Sequence, residues 1–262
     1  MCLADFAAGA MLEVIVGEVY SPSHFWLIRL GDDYNIAMEE LMDEMTRYFA
    51  SEEGRGRALA RGAVRPGQYC SCVFEGDWHR ALVVRVLDSD SVKVRHVDYG
   101  TVDTVAAREL RPLPRRWARL PQQAVRARLA GVRPAAGGRR WPRAAAAHFL
   151  RQVRDRRLVA NVVAADAQLR AVEVLLIDTS GARDESLGAQ LVRAGHADPR
   201  PDSALRATEC YLFPRFEALE SGDTPNYAEI HAYLRDGIAL EYVDAYRRHV
   251  PTALPPSPWH PA

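Results

Sequence analysis

The chain has 262 residues, 48% hydrophobic and 26% charged, with 34 basic and 34 acidic side chains, a composition suited to two modest globular cores. No apolar run approaches the roughly 20 residues needed to cross a bilayer, and Met1-Cys2-Leu3-Ala4-Asp5 lacks the charged-then-apolar order of a secretory signal. A cytoplasmic chain with no membrane partner is therefore expected. The cysteines, Cys2, Cys70, Cys72 and Cys210, are few and irregularly spaced, and Cys70 and Cys72 are expected to point to opposite faces of a strand. Neither a disulfide framework nor a metal site is expected.

The zero net charge hides an uneven distribution, with fifteen arginines between Arg108 and Arg157 against only Glu109 and Asp155. Such a block could face RNA or an acidic partner. A compositional bias accounts for it equally well, because Lys93 is the only lysine in the chain.

Along the chain, residues 12–20 and 25–30 are β-branched and aromatic runs separated by Ser21-Pro22-Ser23-His24, which predicts a hairpin. Two strands alone are not stable, so the hairpin must complete a sheet made elsewhere. Met38, Leu41, Met42, Met45, Tyr48 and Phe49 then recur at helical spacing, with Asp32 or Asp33 able to cap the start. This helix is expected to be a connector packed between domains. Residues 51–65 show no sustained period and predict a mobile loop.

Short strands follow at 68–74, 78–87, 91–98 and 102–105, each break holding turn residues, and Leu110-Arg111-Pro112-Leu113-Pro114 closes the set. Four or five such strands make a small bent barrel. The remainder predicts a strand at 124–132, a helix at 141–153, strands at 158–165 and 169–178, and a helix at 185–194 ended by Gly195. That mixture fits an OB-like domain whose missing strands are those before residue 31. A proline-bounded tail with a helical stretch at 226–248 ends the chain.

Gly76-Asp77-Trp78-His79-Arg80-Ala81, then Val94-Arg95-His96-Val97-Asp98-Tyr99-Gly100, then Leu110 to Pro114, resemble the signature of the Tudor family. With the flanking hairpin, helix and strand–helix run, residues 11 to 198 resemble an extended Tudor domain of germline proteins in the PIWI-interacting RNA pathway. The resemblance implies a mainly β fold with helices, in which an SH3-like Tudor barrel (65–114) is inserted into a nuclease-like OB-fold domain (11–31 and 115–198). Residues 32–64 would be linker helix and loop, and 199–262 a tail.

The resemblance also implies a function: binding of symmetric dimethylarginine in PIWI-type tails, as a non-catalytic scaffold of cytoplasmic germ granules, without a cofactor. A methylated guanidinium is a flat, weakly hydrated cation that a box of aromatic faces holds by cation–π attraction. By motif position the cage falls at Phe74, His79, His96 and Tyr99, with Thr101 where the family has an asparagine; Arg80 and Asp98 would form a structural ion pair. Histidines replace two usual tyrosine or phenylalanine positions. Exposed histidines titrate near pH 6.5, so binding is expected to weaken from about pH 7.5 to about 5.5. The peptide is expected in the cleft between barrel rim and OB domain. The alternative is a scaffold with a degenerate cage that binds RNA or another protein through its arginine-rich surface or its tail.

Overall fold

The computed structural model describes residues 6–59, 62–138, 141–167 and 170–200. In its first half, β1 (Met11–Ser21) and β2 (His24–Arg29) lead to α1 (Asp32–Ala50) and α2 (Glu52–Arg55). Five strands follow: β3 (Tyr69–Phe74), β4 (Asp77–Val86), β5 (Ser91–His96), β6 (Val102–Ala106) and β7 (Arg111–Pro112). The second half holds β8 (Ala124–Leu129), β9 (Val132–Pro134), α3 (Arg143–Val153), β10 (Leu158–Asp166), β11 (Ala171–Asp178), β12 (Glu185–Ser186), α4 (Leu187–Arg193) and β13 (Ala197–Pro199). The tail helix expected at 226–248 lies outside the described residues.

The isolated hairpin finds partners on both sides. β1 pairs antiparallel with β10, β2 pairs antiparallel with β8, and β8 runs parallel to β11, which returns to β10. Strands β1, β2, β8, β11 and β10 thus close on themselves, with β12 attached at the edge of β11. Alternation drives this closure: Val14, Val16, Leu27, Ala127, Leu158, Ala160, Val162 and Val174 share one core, while their neighbours face outward. Helix α3 covers that core with Phe149 and Leu150, the Phe149 ring lying 5.1 Å from that of Phe25. Each such fully buried side chain contributes roughly 1.5–3 kcal/mol.

The intervening strands form a separate five-stranded barrel of order β6-β5-β4-β3-β7. Its core is Cys70, Cys72, Ala81, Val83, Val92, Val94, Val105 and Leu110. Cys70 and Cys72 are both inside it, correcting the expectation of opposite faces, because strand residues two apart share a face. Helix α1 lays Leu41, Met45 and Phe49 against Trp117, and Phe49 stacks on Trp78 at 4.0 Å. Its N-cap is Gly31 rather than either aspartate. The stretch at 51–65 is more ordered than expected: the Ser51 hydroxyl accepts from the Gly54 amide to start α2, and Leu59 and Val64 pack on the barrel core.

The two lobes meet closely at the turn that carries Tyr99. The Glu18 amide donates to the Tyr99 carbonyl at 3.4 Å, beside a register shift in β1 between Val16 and Val19. A Cβ at Gly17 would collide with that carbonyl, and one at Gly100, whose φ is +85°, would collide with the buried Trp26 ring. An alanine at position 100 meets both a left-handed backbone penalty and an overpacked contact, roughly 2–5 kcal/mol together. Gly100→Ala should therefore lower the urea midpoint sharply in equilibrium unfolding, and an unchanged midpoint would show that the lobes are not pressed together there.

Candidate functional site

The site grows out of two tight turns at one end of the barrel. Glu75 (φ +51°) and Gly76 (φ +99°) form a two-residue connection between β3 and β4, with Phe74 paired to Asp77, as suits a hairpin whose loop residues both have positive φ. This register sets His79 opposite Cys72 on the inward face. Between β5 and β6, the amides of Tyr99 and Gly100 donate to the His96 carbonyl at 3.3 and 2.7 Å, and the His96 amide donates to the Thr101 carbonyl at 2.8 Å. The turn so closed projects the Tyr99 ring toward His79.

The four rings form one cluster. Phe74 lies 5.9 Å from His79 and 4.7 Å from His96, His79 lies 5.5 Å from His96, and Tyr99 lies 5.4 Å from His79. Phe74 and Tyr99 stand at 77° and 75° to the His79 ring, the geometry of box corners rather than of a stacked column. Phe74, Tyr99 and Thr101 are half-buried, whereas His79 is 7% exposed and His96 0%. His96 is thus a floor and His79 an inner wall.

Burial also corrects the titration expected of these histidines. Desolvation lowers the His79 pKa against the opposing pull of Asp98, Asp77 and Glu75, and it lowers that of His96 to about 3, with the neighbouring His79 adding to the effect. Both imidazoles are consequently neutral near pH 7, as a box for a cation requires. The buried Asp98 acts on both His79 and Tyr99, and exposed acid charge gathers outside: Asp77 acts on both rings, Glu75 on His79 and Glu39 on Tyr99.

Arg80 and Asp98 meet directly behind the cage. Nε and Nη2 of Arg80 donate to the Asp98 carboxylate at 2.9 and 2.5 Å, Nη1 donates to the carbonyls of Trp117 (2.8 Å) and Leu120, and Nη2 also reaches the Pro121 carbonyl at 3.0 Å. Asp98 further accepts from the Gln123 amide at 3.0 Å.

Three neighbours of the cage carry little sequence signal. The Tyr99 hydroxyl donates to the Met42 thioether at 3.6 Å, so the helix regarded as a connector also edges the site. The His96 Nδ1 lies 3.9 Å from the Cys72 thiol, whose pKa is raised by burial. Trp26 backs the turn at Gly100, with the guanidinium of Arg95 over its ring at 4.6 Å and that of Arg126 at 5.4 Å. Helical or strand spacing marks each of these as apolar packing, and only the fold brings them to the turn.

A second concavity, of about 1040 Å³, lies between the outer barrel face and the second lobe. Tyr69, Leu82 and Leu120 line it with Arg80, Arg95 and Arg126, and no cage residue does. Among the described residues, no group of three or more histidine, cysteine or acidic side chains converges as metal ligands would, and no helix is long and apolar enough to cross a membrane.

A small β barrel braced by a second one, with an aromatic box at its rim, defines a ligand-binding module of the Tudor type. The Tudor domain model matches residues 8–131. A solved extended Tudor domain of BmPAPI, in complex with symmetric dimethylarginine, is 32% identical; the alignment covers 72% of this chain and 99% of that one, with a TM-score of 0.63. Extended Tudor domain TD3 of mouse TDRD1, bound to a MILI peptide containing dimethylarginine, matches at 28% identity over 74% of this chain and 96% of that one, TM-score 0.67. Tudor domain-containing protein 5 of Danio rerio is 35% identical over 192 residues, 72% of this chain and 21% of that protein. The chain belongs to the Tudor domain family, as an extended Tudor domain, and spans about a fifth of the length of that curated relative.

Two outcomes follow from this geometry. Arg80→Ala should cost about 3–5 kcal/mol in urea unfolding because it strands a buried carboxylate, and Arg80→Lys should not restore it, lacking the planar fork. The second concerns protons. With the His96 pKa held far below 6.5, the folded state binds fewer protons than the unfolded one as pH falls, so stability from this source is whole above pH 6.5 and is lost progressively toward about pH 3. In an NMR titration the His96 ring should show no inflection between about pH 7.5 and 5.5. An inflection near 6.5 would mean that the ring is open to water.

Proposed function

We propose that this chain is a non-catalytic extended Tudor module whose cage of Phe74, His79, His96 and Tyr99 takes a methylated-arginine side chain from the tail of a PIWI-type partner. In this reading a nuclease-like OB-fold domain, 11–31 with 115–198, carries the Tudor barrel of 65–114 as an insertion. Residues 32–64 link the two, and 199–262 form a tail. The closed strand order β1-β2-β8-β11-β10, with one parallel pair, supports the OB assignment. Service as a scaffold in cytoplasmic germ granules is the setting that such a ligand fits.

The observation that carries the proposal is the convergence of four rings, two of them neutral imidazoles, into one box at the barrel rim. The family's complexes with methylated peptides of MILI and Piwi support the ligand class. The acid charges around the rim favour an arginine-rich peptide crossing the mouth beside α1. Beyond the cage, the rest of the peptide is expected to run through the cleft between barrel rim and OB domain.

The arginine-rich block supports RNA binding less well than its sequence suggests. Arg116, Arg133, Arg154 and Arg156 pair with Glu44, Asp198, Asp155 and Asp178.

Titration calorimetry with an arginine–glycine peptide bearing methylated arginine tests the proposal. Phe74→Ala and Tyr99→Ala should each weaken binding at least about tenfold, since an aromatic face on a desolvated cation contributes roughly 2 kcal/mol. Equal binding by the wild type and both variants would place the peptide elsewhere.

A further inference from the structure

The arginine-lined concavity lies away from the cage. Tyr69 pairs with Leu82 at one end of the β3–β4 ladder and Phe74 with Asp77 at the other, a separation of about 17 Å along β3. The space measures about 1040 Å³, and its walls join apolar surface from Tyr69, Leu82 and Leu120 to positive charge. Arg80 is matched by Asp98, but Arg95, Arg126 and Arg170 line the same space and, among the described residues, no acidic side chain does. A recess walled by one sign of charge focuses its field on whatever enters. Arg170 is exposed, in the turn before β11, where Ala171 pairs with Arg126. The Tyr69 ring is 45% exposed even though the Gln122 side-chain amide donates to its hydroxyl.

An occupant that suits these walls is acidic and apolar at once, and the chain carries such a segment. Residues 209–223 set Glu209, Glu217, Glu220 and Asp223 against Arg215 alone, among Tyr211, Leu212, Phe213, Phe216 and Leu219. The tether is long enough. Arg200, the last described residue, is anchored by its amide, which donates to the Gly131 carbonyl at 2.7 Å, and by its guanidinium, which pairs with Glu173 at 3.0 Å. From Gly131 back to Ala124, in the wall of the concavity, the chain covers at most about 23 Å at strand rise. The nine residues from Arg200 to Glu209 span up to roughly 30 Å. An occupant on the same chain binds as an intramolecular event, at a local concentration that a separate partner has to exceed.

We propose that residues 209–223 dock in the concavity between the outer barrel face and the second lobe, their carboxylates facing Arg95, Arg126 and Arg170 and their aromatic side chains resting on Tyr69, Leu82 and Leu120. The recess is then a site for the chain's own acidic segment, and the inference does not depend on what the cage takes.

A nitroxide label on Cys210 tests it in the full chain carrying Cys2→Ser, because Cys70 and Cys72 are buried in the barrel core, out of reach of the label. In the amide NMR spectrum the signals of Tyr69, Leu82 and Ala124 should lose intensity, while those of Glu75 and Gly76, at the other end of the ladder, should keep theirs. Added salt should return part of the lost intensity, since it screens the ion pairs. Arg170→Glu should return more, and Glu217→Arg with Glu220→Arg in that variant should bring the loss back. Equal intensity at Tyr69 and Glu75 would overturn the proposal. So would loss at Tyr69 in an unlabelled nitrogen-15 chain mixed with a labelled nitrogen-14 one, which would put a second copy in the recess. A uridine oligonucleotide that shifts these signals in a chain whose Cys210 label broadens none of them would assign the recess to nucleic acid and overturn it as well.

Discussion

The architecture depends on the guanidinium of Arg80. A buried cation is tolerated only when its desolvation is repaid by complete pairing. Arg80, at 3% exposure, meets this condition with a carboxylate and three main-chain carbonyls. Those partners come from three places: the turn that carries Tyr99, the segment after β7 through Trp117 and Leu120, and Pro121 at the entry to β8. One side chain thus fixes the cage turn, the surface on which α1 packs, and the point where the chain passes into the second lobe. Lysine, a point charge with three donors, has no fork to make these contacts.

The proposed cage would obey the opposite electrostatic rule. In that reading it holds a cation without containing one, and burial lowers the pKa of both imidazoles, which favours their uncharged form. Acid charge near Glu39, Glu75 and Asp77 lies outside the box, where water screens it, and so favours approach rather than tight pairing. In the proposed function the division of labour is between rings that would desolvate the guest and carboxylates that would attract it.

Much of this was legible in the sequence, because alternation and turn chemistry are local signals. The hairpin before residue 31, the short strands from Gln68 to Val105 and the stripe from Met38 to Phe49 all appear in the structure at nearly the expected bounds. The motif positions also brought Phe74, His79, His96 and Tyr99 together. What sequence could not supply was depth. His79 and His96 were expected to be exposed, and only the register of β4 against β3 and β5 places them inward. Contacts between distant segments were equally hidden, as with Met42 beneath the Tyr99 hydroxyl and Gly17 against its carbonyl. The order in residues 51–65 arises from Leu59 and Val64 seating on the barrel, a tertiary effect without periodicity.

The pairing of Met11 with Asn161 has a consequence for how the chain comes to be folded. During synthesis, β1 and β2 emerge before β8 and β10 but must wait for β8 on one side and β10 on the other, with all of β3 to β7 made in between. Contacts so distant along the chain close slowly, and unpaired strand edges are exposed to wrong partners meanwhile. The barrel of β3 to β7, whose pairings are local, can close well before that. The hairpin therefore spends the longest time incomplete, and it is also the element that later presses Gly17 and Trp26 against the binding turn, so the site reaches its final shape last.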